Sequence, residues 1–412
     1  MIIVAYILAV LFVSYIILLI CAKIYSPFWF HQPVYHIYEI YPKLTFSRVP
    51  YWKKKRIASN GIFCDTTHIR TTAITDVPDS LWEKTTTLIQ GHYMNTDAVL
   101  NHTTIDVLKK KLYGDSFMTC YYENKIVQVE KSFLEILDTD NLFGVLVSRP
   151  VVVNFKTSSF HTIIHEFLYI CVHDKYKTKN LSRNLIQTHI YQHQAIKGIP
   201  AGGYVFQKHL DLCKAVVPLV LYDTYTFVLR DTRIPKLPIH YSIRCLNTTH
   251  VNLWRGIYAK ILTKFEVSLL PEFHYTLEWL KNERYTIYST IYKVENVEHI
   301  HGVYLFEDAG ISWENEQLEK PHMVRLAASV NFGDRDTSEF LFFRGFLHCL
   351  KTFIGDKKEF GILEIPCLSD NHIVLDKWQE KYELRNSSPS AYYLYNLIYP
   401  PSPLHPSQFF IL

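Results

Sequence analysis

Three lysines at alternate positions, Lys175, Lys177 and Lys179, precede a hydroxyl residue, Ser182, in the run Tyr169-Ile170-Cys171-Val172-His173-Asp174-Lys175-Tyr176-Lys177-Thr178-Lys179-Asn180-Leu181-Ser182. A β-branched, aromatic stretch ends here and a helical pattern begins. The spacing predicts cations and backbone N–H groups converging on the positive end of a helix that Ser182 caps. Such a junction suits a diphosphate, because the first N–H groups of a helix lack partners within it and the aligned peptide dipoles favour an anion there. On composition alone, a solvated lysine-rich turn is the stronger reading of the same residues.

Other clusters have less to offer. His161, His165 and Glu166 (HTIIHE) are metal-ligand types, but they fall on a β-rich run and lack the HExxH order of a zinc helix, so polar strand residues are expected. His189 and His193 are four apart on a helical stretch with no third ligand in view, and a solvated face is expected. Asp334-Arg335-Asp336 and Asp370-Asn371-His372 read as turns. The sequence holds no glycine-rich loop of the P-loop or Rossmann kind.

The elements that position the lysine-rich run follow from periodicity. Residues 142–153 (LFGVLVSRPVVV) and 160–172 (FHTIIHEFLYICV) read as adjacent strands, and 181–196 reads as a helix. Further on, 252–265 and 273–280 are helical in pattern, 284–294 and 300–306 suit a hairpin, and 338–353 suits a helix. Strand and helix alternate in both halves, which gives an α/β (α+β) fold class. Residues 229–238, with Pro235 and Pro238, are the expected hinge.

Composition bounds the rest. A chain of 412 residues, 48% hydrophobic, has ample material for one large core or two smaller ones. The net charge of +4 is small and the basic residues are scattered, apart from Lys53, Lys54, Lys55 and Arg56, so a nucleic-acid binder is not indicated. That basic run suits anionic headgroups and a solvated loop equally well. The cysteines are spread without a CxxC pair, as in reduced, cytosol-facing proteins.

Residues 2–22 (IIVAYILAVLFVSYIILLICA) contain no charge, proline or glycine. About 20 such residues span the roughly 30 Å hydrocarbon core of a bilayer as a helix. The start lacks the charged n-region, short apolar stretch and small-x-small exit of a cleaved signal, so an anchor over 1–24 is expected. Lys23, Lys43 and Arg48 follow the helix, which orients the main domain toward the cytoplasm in a single-pass arrangement.

Three blocks resemble one known family. Residues 171–186 (CVHDKYKTKNLSRNLI) resemble the acyl-CoA loop of N-myristoyltransferases, C-V-H-x-K-x-[RK]-[ST]-K-x-[LV]-[AS]-x-x-L-I. Phe28-Trp29-Phe30-His31-Gln32-Pro33-Val34 resembles that family's FW-x-x-QPV segment, which closes over the acyl-CoA. Ala391-Tyr392-Tyr393-Leu394-Tyr395-Asn396 resembles its YYLYNW strand, followed here by an apolar end, Phe409-Phe410-Ile411-Leu412. The blocks stand in the family's order and at roughly its distances. Weaker similarity runs through most of the chain after residue 25, including 142–150 and 328–332.

The resemblance implies two pseudo-symmetric GNAT-like acyl-CoA N-acyltransferase halves behind the anchor, with 25–235 binding acyl-CoA and 236–412 supplying most of a peptide groove. It implies transfer of a fatty acyl group, such as myristoyl, from CoA to the N-terminal glycine of a protein. The partners would be acyl-CoA as co-substrate, protein N-terminal peptides and, through residues 2–22, membrane lipid, with no permanently bound cofactor and no metal. Carried over by position, the acyl-CoA contacts fall on Phe28, Trp29, Cys171, Val172, Lys177, Thr178, Lys179, Asn180, Leu181 and Ser182. The backbone amides of Tyr169 and Ile170 would polarise the thioester carbonyl, and the C-terminal carboxylate of Leu412 would take the ammonium proton. Tyr93 and Val205 would line the substrate side.

The sequence also departs from that pattern. The family's asparagine before the amide pair corresponds to Leu168, and its threonine in the VYTAG strand to Val205, which removes two hydrogen-bonding groups near the nucleophile. Asp174 and Asn180 replace basic positions of the loop. Two readings therefore stand: an active membrane-tethered N-acyltransferase, or a binding or structural protein that keeps the fold without turnover. Asn101, Asn180, Asn247 and Asn386 lie in Asn-x-Ser/Thr sequons, and a glycan on Asn180 would block the loop, so a lumenal body would contradict the active reading.

Overall fold

The structure, a computed structural model, describes residues 2–45, 47–53, 61–93, 99–129, 132–197, 202–209, 213–229, 234–282, 285–295, 297–313, 321–333, 335–355 and 360–412. It opens with helix α1 (Ile2–Tyr25), exposed along its length except near its base, where Ala22 is buried. Helices α2 (Pro27–His31) and α3 (Tyr41–Leu44) follow, then strands β1 (Tyr51–Trp52) and β2 (Ile69–Ala73) and helix α4 (Asp79–His92). Next come β3 (Val99–Asn101), α5 (Ile105–Lys110), β4 (Phe117–Val129), β5 (Ser132–Phe155), β6 (Phe160–Val172), α6 (Leu181–Lys197), β7 (Tyr204–His209) and β8 (Val220–Val228).

The second half begins with β9 (Tyr241–Leu246), α7 (Val251–Lys264), β10 (Val267–Leu270), α8 (Phe273–Asn282), β11 (Thr286–Val294), β12 (Val297–Trp313) and β13 (His322–Asn331). It closes with α9 (Arg335–Ile354), β14 (Phe360–Pro366), α10 (Asn371–Gln379), β15 (Leu384–Tyr395), β16 (Leu397–Ile398) and β17 (Phe409–Ile411). Of the expected hinge, residues 230–233 lie outside the described residues, as do Asp334 and, of the basic run, Lys54, Lys55 and Arg56.

One unit recurs. Strands β4, β5 and β6 are antiparallel neighbours, and α6 carries the chain to β7, which lies parallel to β6. In the second half β11, β12 and β13 are antiparallel neighbours, and α9 carries the chain to β14, parallel to β13. Parallel strands need such a helical crossover because a tight turn cannot reverse the chain direction twice. The two units share one sheet in the order β17-β10-β5-β6-β7-β15-β8-β14-β13-β12-β11-β9. Strand β15, late in the sequence, pairs with both β7 and β8 and so joins the units.

Helix α6 shows why the sequence folds this way locally. Leu181, Leu185, His189 and His193 recur every four residues, and this stripe is buried against the sheet. The two histidines thus belong to the core rather than to the solvated face expected for them. Thr119 Oγ1 lies 2.7 Å from Nδ1 of His189 and Ser148 Oγ lies 3.1 Å from its Nε2, while Tyr204 Oη is 2.7 Å from Nδ1 of His193. Hydroxyls on the facing strands make burial of the imidazoles tolerable.

The segment expected as a turn at Asp370-Asn371-His372 instead opens α10. Asn371 is wholly buried there, accepting from Ser329 Oγ (2.7 Å) and donating to the carbonyls of Pro366 (2.9 Å) and Leu326 (3.3 Å). Asp370 stands at the N-terminal cap position and is ion-paired with Lys264.

Candidate active site

The sheet opens at one place in the first half. Strands β6 and β7 pair only at His165–Tyr204, Glu166–Val205 and Phe167–Phe206, and then part. On its other edge β6 stays bonded to β5, where Tyr169 faces Val147, Ile170 faces Leu146 and Cys171 faces Val145. Between the pairs Ser148–Phe167 and Val147–Tyr169 the register slips, so Leu168 is the extra residue of a β-bulge. The side chains record the slip: Leu168, Tyr169 and Cys171 pack into one core, whereas Phe167, Ile170 and Val172 pack into the other. Past Phe167 the edge of β6 that carries Leu168, Tyr169 and Ile170 is free of a β7 partner.

Gly203 lets the strands meet before they part. A Cβ there would lie 2.7 Å from Cγ2 of Ile164 and 2.8 Å from the Trp52 ring, closer than real contacts allow. Its carbonyl accepts from the His165 amide at 2.9 Å.

The lysine-rich run forms a 3-10 turn, Asp174–Lys179, closed by Asn180 in the left-handed region at φ 57°. Asparagine tolerates that region better than most residues. Helix α6 then starts at Leu181, so Ser182 lies inside its first turn rather than at the cap. The Lys175 amide donates to the His173 ring at 3.2 Å. Asp174 receives Lys177 Nζ at 2.5 Å and its Oδ2 lies 2.9 Å from His92 Nδ1. These two partners, Lys177 foremost, hold the Asp174 carboxyl below its ordinary range. Lys177 is therefore partly neutralised by one of the departures noted above. Lys175 stands over the rings of Tyr176 (5.2 Å) and Phe143 (5.7 Å). Thr178 and Lys179 belong to the same turn, and their side chains lie outside the described ones.

The distant aromatic blocks converge on this opening. Trp29 stacks on Phe206, the last β7 residue bonded to β6, with centroids 5.0 Å apart and planes 8° from parallel. Phe28 packs edge-on against Trp29 (4.9 Å) and Phe63 (5.0 Å). Phe28, Val172, Leu181, Phe206 and Tyr393 share one buried cluster, against which Trp29 and Ile170 also pack. Phe28, Trp29, Val172 and Leu181, expected together from the sequence, are thus brought together.

Cys171 is buried on the opposite face, its thiol directed to the Leu88 carbonyl at 3.5 Å. Burial pushes that thiol up to about 12, so it stays protonated at neutral pH. Tyr93 sits edge-on to Tyr169 at 5.0 Å, and burial raises its phenol well above the ordinary range. Lys111 Nζ donates to the Tyr169 hydroxyl at 3.1 Å. Val205 is fully buried in a different cluster, with Ile164 and Leu394.

Leu412 ends the chain in a third place. Strand β17 runs parallel to β10, and the Leu412 amide donates to the Leu269 carbonyl at 3.1 Å. Its side chain is buried with Trp254, Leu270 and Ala328. Leu269 faces Val153 on β5, whereas Tyr169 and Ile170 face Val147 and Leu146 farther along the same strand. A cavity of about 210 Å³ lies against the stretch between, lined by Pro150, Val151, Val152, Ile163, His165 and Gly203 among others. A second cavity, of about 600 Å³, lies in the other half beside Lys260, Lys264, Asn331 and His372. Neither cavity is lined by Tyr169 or Ile170.

Several contributors carry no motif in the sequence. His92 reaches Asp174 from α4, and the stacking of Trp29 on Phe206 needs two segments far apart in the chain. Glu166 is buried and paired with Arg149 at 2.7 Å, so it is more than an ordinary polar strand residue.

The sequence matches no family model and no curated protein. Solved structures do resemble the chain. N-Myristoyltransferase from Saccharomyces cerevisiae with bound myristoyl-CoA superposes with a TM-score of 0.66 at 13% identity, over 92% of this chain and 89% of that one. The chain has the fold of N-myristoyltransferases. Another structure of the yeast enzyme with myristoyl-CoA gives 0.61 at 13% identity, over 92% and 93% of the two chains. A structure with myristoyl-CoA and inhibitors gives 0.65 at 12% identity, over 95% of each chain. The α/β class and the apolar N-terminal helix are as the sequence led us to expect, and the one sheet shared by the two units is a finding of the structure.

Proposed function

We propose that the protein is a membrane-anchored N-acyltransferase that moves a fatty acyl group, myristoyl-like in length, from acyl-CoA to the N-terminal glycine of proteins. One observation carries this reading: the bulge at Leu168 where β6 leaves β7, with the apolar lid Phe28–Trp29 above it and the lysine-bearing turn at its end. Residues 25–235 hold the acyl-CoA, and 236–412 supply most of the peptide groove. The diphosphate is held by the turn and the first N–H groups of α6, with Lys177, Thr178, Lys179, Asn180 and Ser182 around it.

The amides of Tyr169 and Ile170 donate to the thioester oxygen as it gains charge. The Leu412 carboxylate takes a proton from the glycine ammonium. The free amine attacks the thioester carbon, the C–S bond breaks, and the CoA thiolate leaves and is protonated. Helix α1 is long and apolar enough to span a bilayer and supports a single-pass anchor with the body in the cytoplasm.

A second reading has its own observation. Leu168 and Val205 offer only packing where the family pattern has hydrogen-bonding side chains, and Asp174 occupies Lys177. These favour a protein that binds an acyl group without transferring it. The full chain in nanodiscs, incubated with myristoyl-CoA and a glycine-initiated peptide, decides between them. Acylated peptide in mass spectra supports the enzyme; CoA binding with unmodified peptide supports the second reading; no CoA binding overturns both.

A further inference from the structure

Outside α1, among the described residues, the exposed large apolar side chains are scattered singly or, as with Val294 and Val297, as one cross-strand pair, except in one segment. Ile37, Ile40, Tyr41, Leu44, Val49 and Tyr51 are all exposed, Tyr41 by 77% and Leu44 by 65%. A concentration of this kind on a water-facing surface calls for a partner.

The segment is stiffly mounted. The Ser26 amide donates to Ala22 O at 3.0 Å and the Phe30 amide to Ser26 O at 2.9 Å, so α1 and α2 meet at the single non-helical residue Ser26. Phe28 is then locked in the core. Val34 bridges Tyr395, His36 bridges Val216, Pro42 is buried, and β1 pairs Tyr51 with Ile398. Lys53 donates to Val34 O at 2.6 Å and is ion-paired with Glu39, so it serves the mounting rather than lipid headgroups. The apolar side chains project from a fixed backbone.

The charges are of one kind. Glu39 is the one acidic residue between 23 and 52, and it is held by Lys53. Lys23, Lys43 and Arg48 are exposed among the apolar side chains. Aliphatic and aromatic groups interspersed with Lys and Arg suit the boundary between acyl chains and anionic headgroups. Position agrees: the 24 residues of α1 reach about 36 Å at 1.5 Å each, somewhat more than the roughly 30 Å hydrocarbon core, so α1 ends at headgroup level.

We infer that Ile37, Ile40, Tyr41, Leu44, Val49 and Tyr51 form a membrane-docking face that seats the body of the protein on the bilayer its own helix enters. This holds the Phe28–Trp29 lid at the depth of the headgroups, so an acyl chain passes between site and bilayer without crossing water. The inference rests on the proposal that α1 spans the membrane.

The test uses the full chain in phosphatidylcholine/phosphatidylserine nanodiscs whose lipids carry a doxyl quencher high on the acyl chain. A small environment-sensitive fluorescent amino acid replaces Val10, Leu44 or Ile239 in turn; Ile239 is 97% exposed in the other half. The inference expects doxyl lipid to quench positions 10 and 44 and leave 239 unchanged. Quenching at 10 with 44 open to aqueous iodide overturns the docking face and leaves the anchor standing. Position 44 shielded from both quenchers means that protein, such as a second copy, covers it, and also overturns the inference. Failure to quench position 10 removes the anchor and the inference with it.

Discussion

The phenol of Tyr395 donates a 2.6 Å hydrogen bond to Oε1 of Gln32, and both side chains are buried. Beside it the Asn396 amide donates to Pro33 O at 2.7 Å. Two sequence blocks from opposite ends of the chain are thus one structural unit, and the segment that carries Phe28 and Trp29 beside the open edge of β6 is fastened by a strand from the far end. Replacing Tyr395 by Phe leaves a buried amide oxygen without its donor, which costs about 1–3 kcal/mol. Thermal unfolding of the full chain should show a lower midpoint for the variant, with weaker myristoyl-CoA binding by titration. An unchanged midpoint would mean that the contact is not formed.

Arg149 and Glu166 form a nearly water-free ion pair, Nε to Oε2 at 2.7 Å, just ahead of the bulge. Glu166→Gln leaves the guanidinium buried with half a partner and should destabilise by about 3–5 kcal/mol. A paired Arg149→Met/Glu166→Met change should cost clearly less, since no charge remains buried. Chemical denaturation of the two variants side by side measures the difference.

Asp174 competes with a phosphate for Lys177. Asp174→Asn should therefore tighten CoA binding by about two- to fivefold at low salt, and Lys177→Ala should loosen it by a similar factor. Both effects should shrink as ionic strength rises. Calorimetric titrations at two salt concentrations test this, and equal affinity for all three proteins would remove Lys177 from the site.

His189 is held neutral by burial, and by His193 and His165 beside it, so its pKa lies well below the ordinary imidazole value. The other groups facing it are uncharged: the hydroxyls of Thr119 and Ser148, and the Phe167 ring. The unfolded chain takes up a proton at this residue near pH 6.5 while the folded state does not, so stability falls as pH drops below about 6.5. His209 and His301, also lowered by burial, add to the same slope. Denaturation midpoints at neutral and mildly acidic pH should differ, and His189→Leu should flatten the dependence. A steeper slope in that variant would contradict the assignment.

Appending residues after Leu412 moves the terminal carboxylate away from its place beside Leu269. If that group is the base, kcat should fall by about 10²–10⁴-fold while CoA binding persists. Turnover unaffected by the extension would assign the proton transfer to another group.

Local physics made much of the fold legible. Residues 2–22, without charge or breaker, can hardly be other than an apolar helix, and the β-branched runs 142–153 and 160–172 emerge as paired strands because alternation and branching dictate it. The FW-x-x-QPV, lysine-turn and YYLYN blocks could be recognised because their residue types are unusual in combination. What failed were judgements of exposure. His189 and His193 looked like a wet helix face, since imidazole is polar; the hydroxyls that accommodate them come from β4, β5 and β7. Asp370-Asn371 looked like a turn, and Asn371 is buried because Ser329 on β13 meets it.

The sequence by itself determined the apolar N-terminal helix, the strands over 142–153 and 160–172, the helix after them and the chemical character of the lysine turn, for these depend on neighbours along the chain. Tertiary structure alone decided that β6 parts from β7 at Leu168, that Trp29 lies on Phe206, and that His92 reaches Asp174. Those relations join residues whose separation in sequence carries no trace of their contact. They are fixed by register and packing across a sheet, where a slip of one residue redirects every side chain.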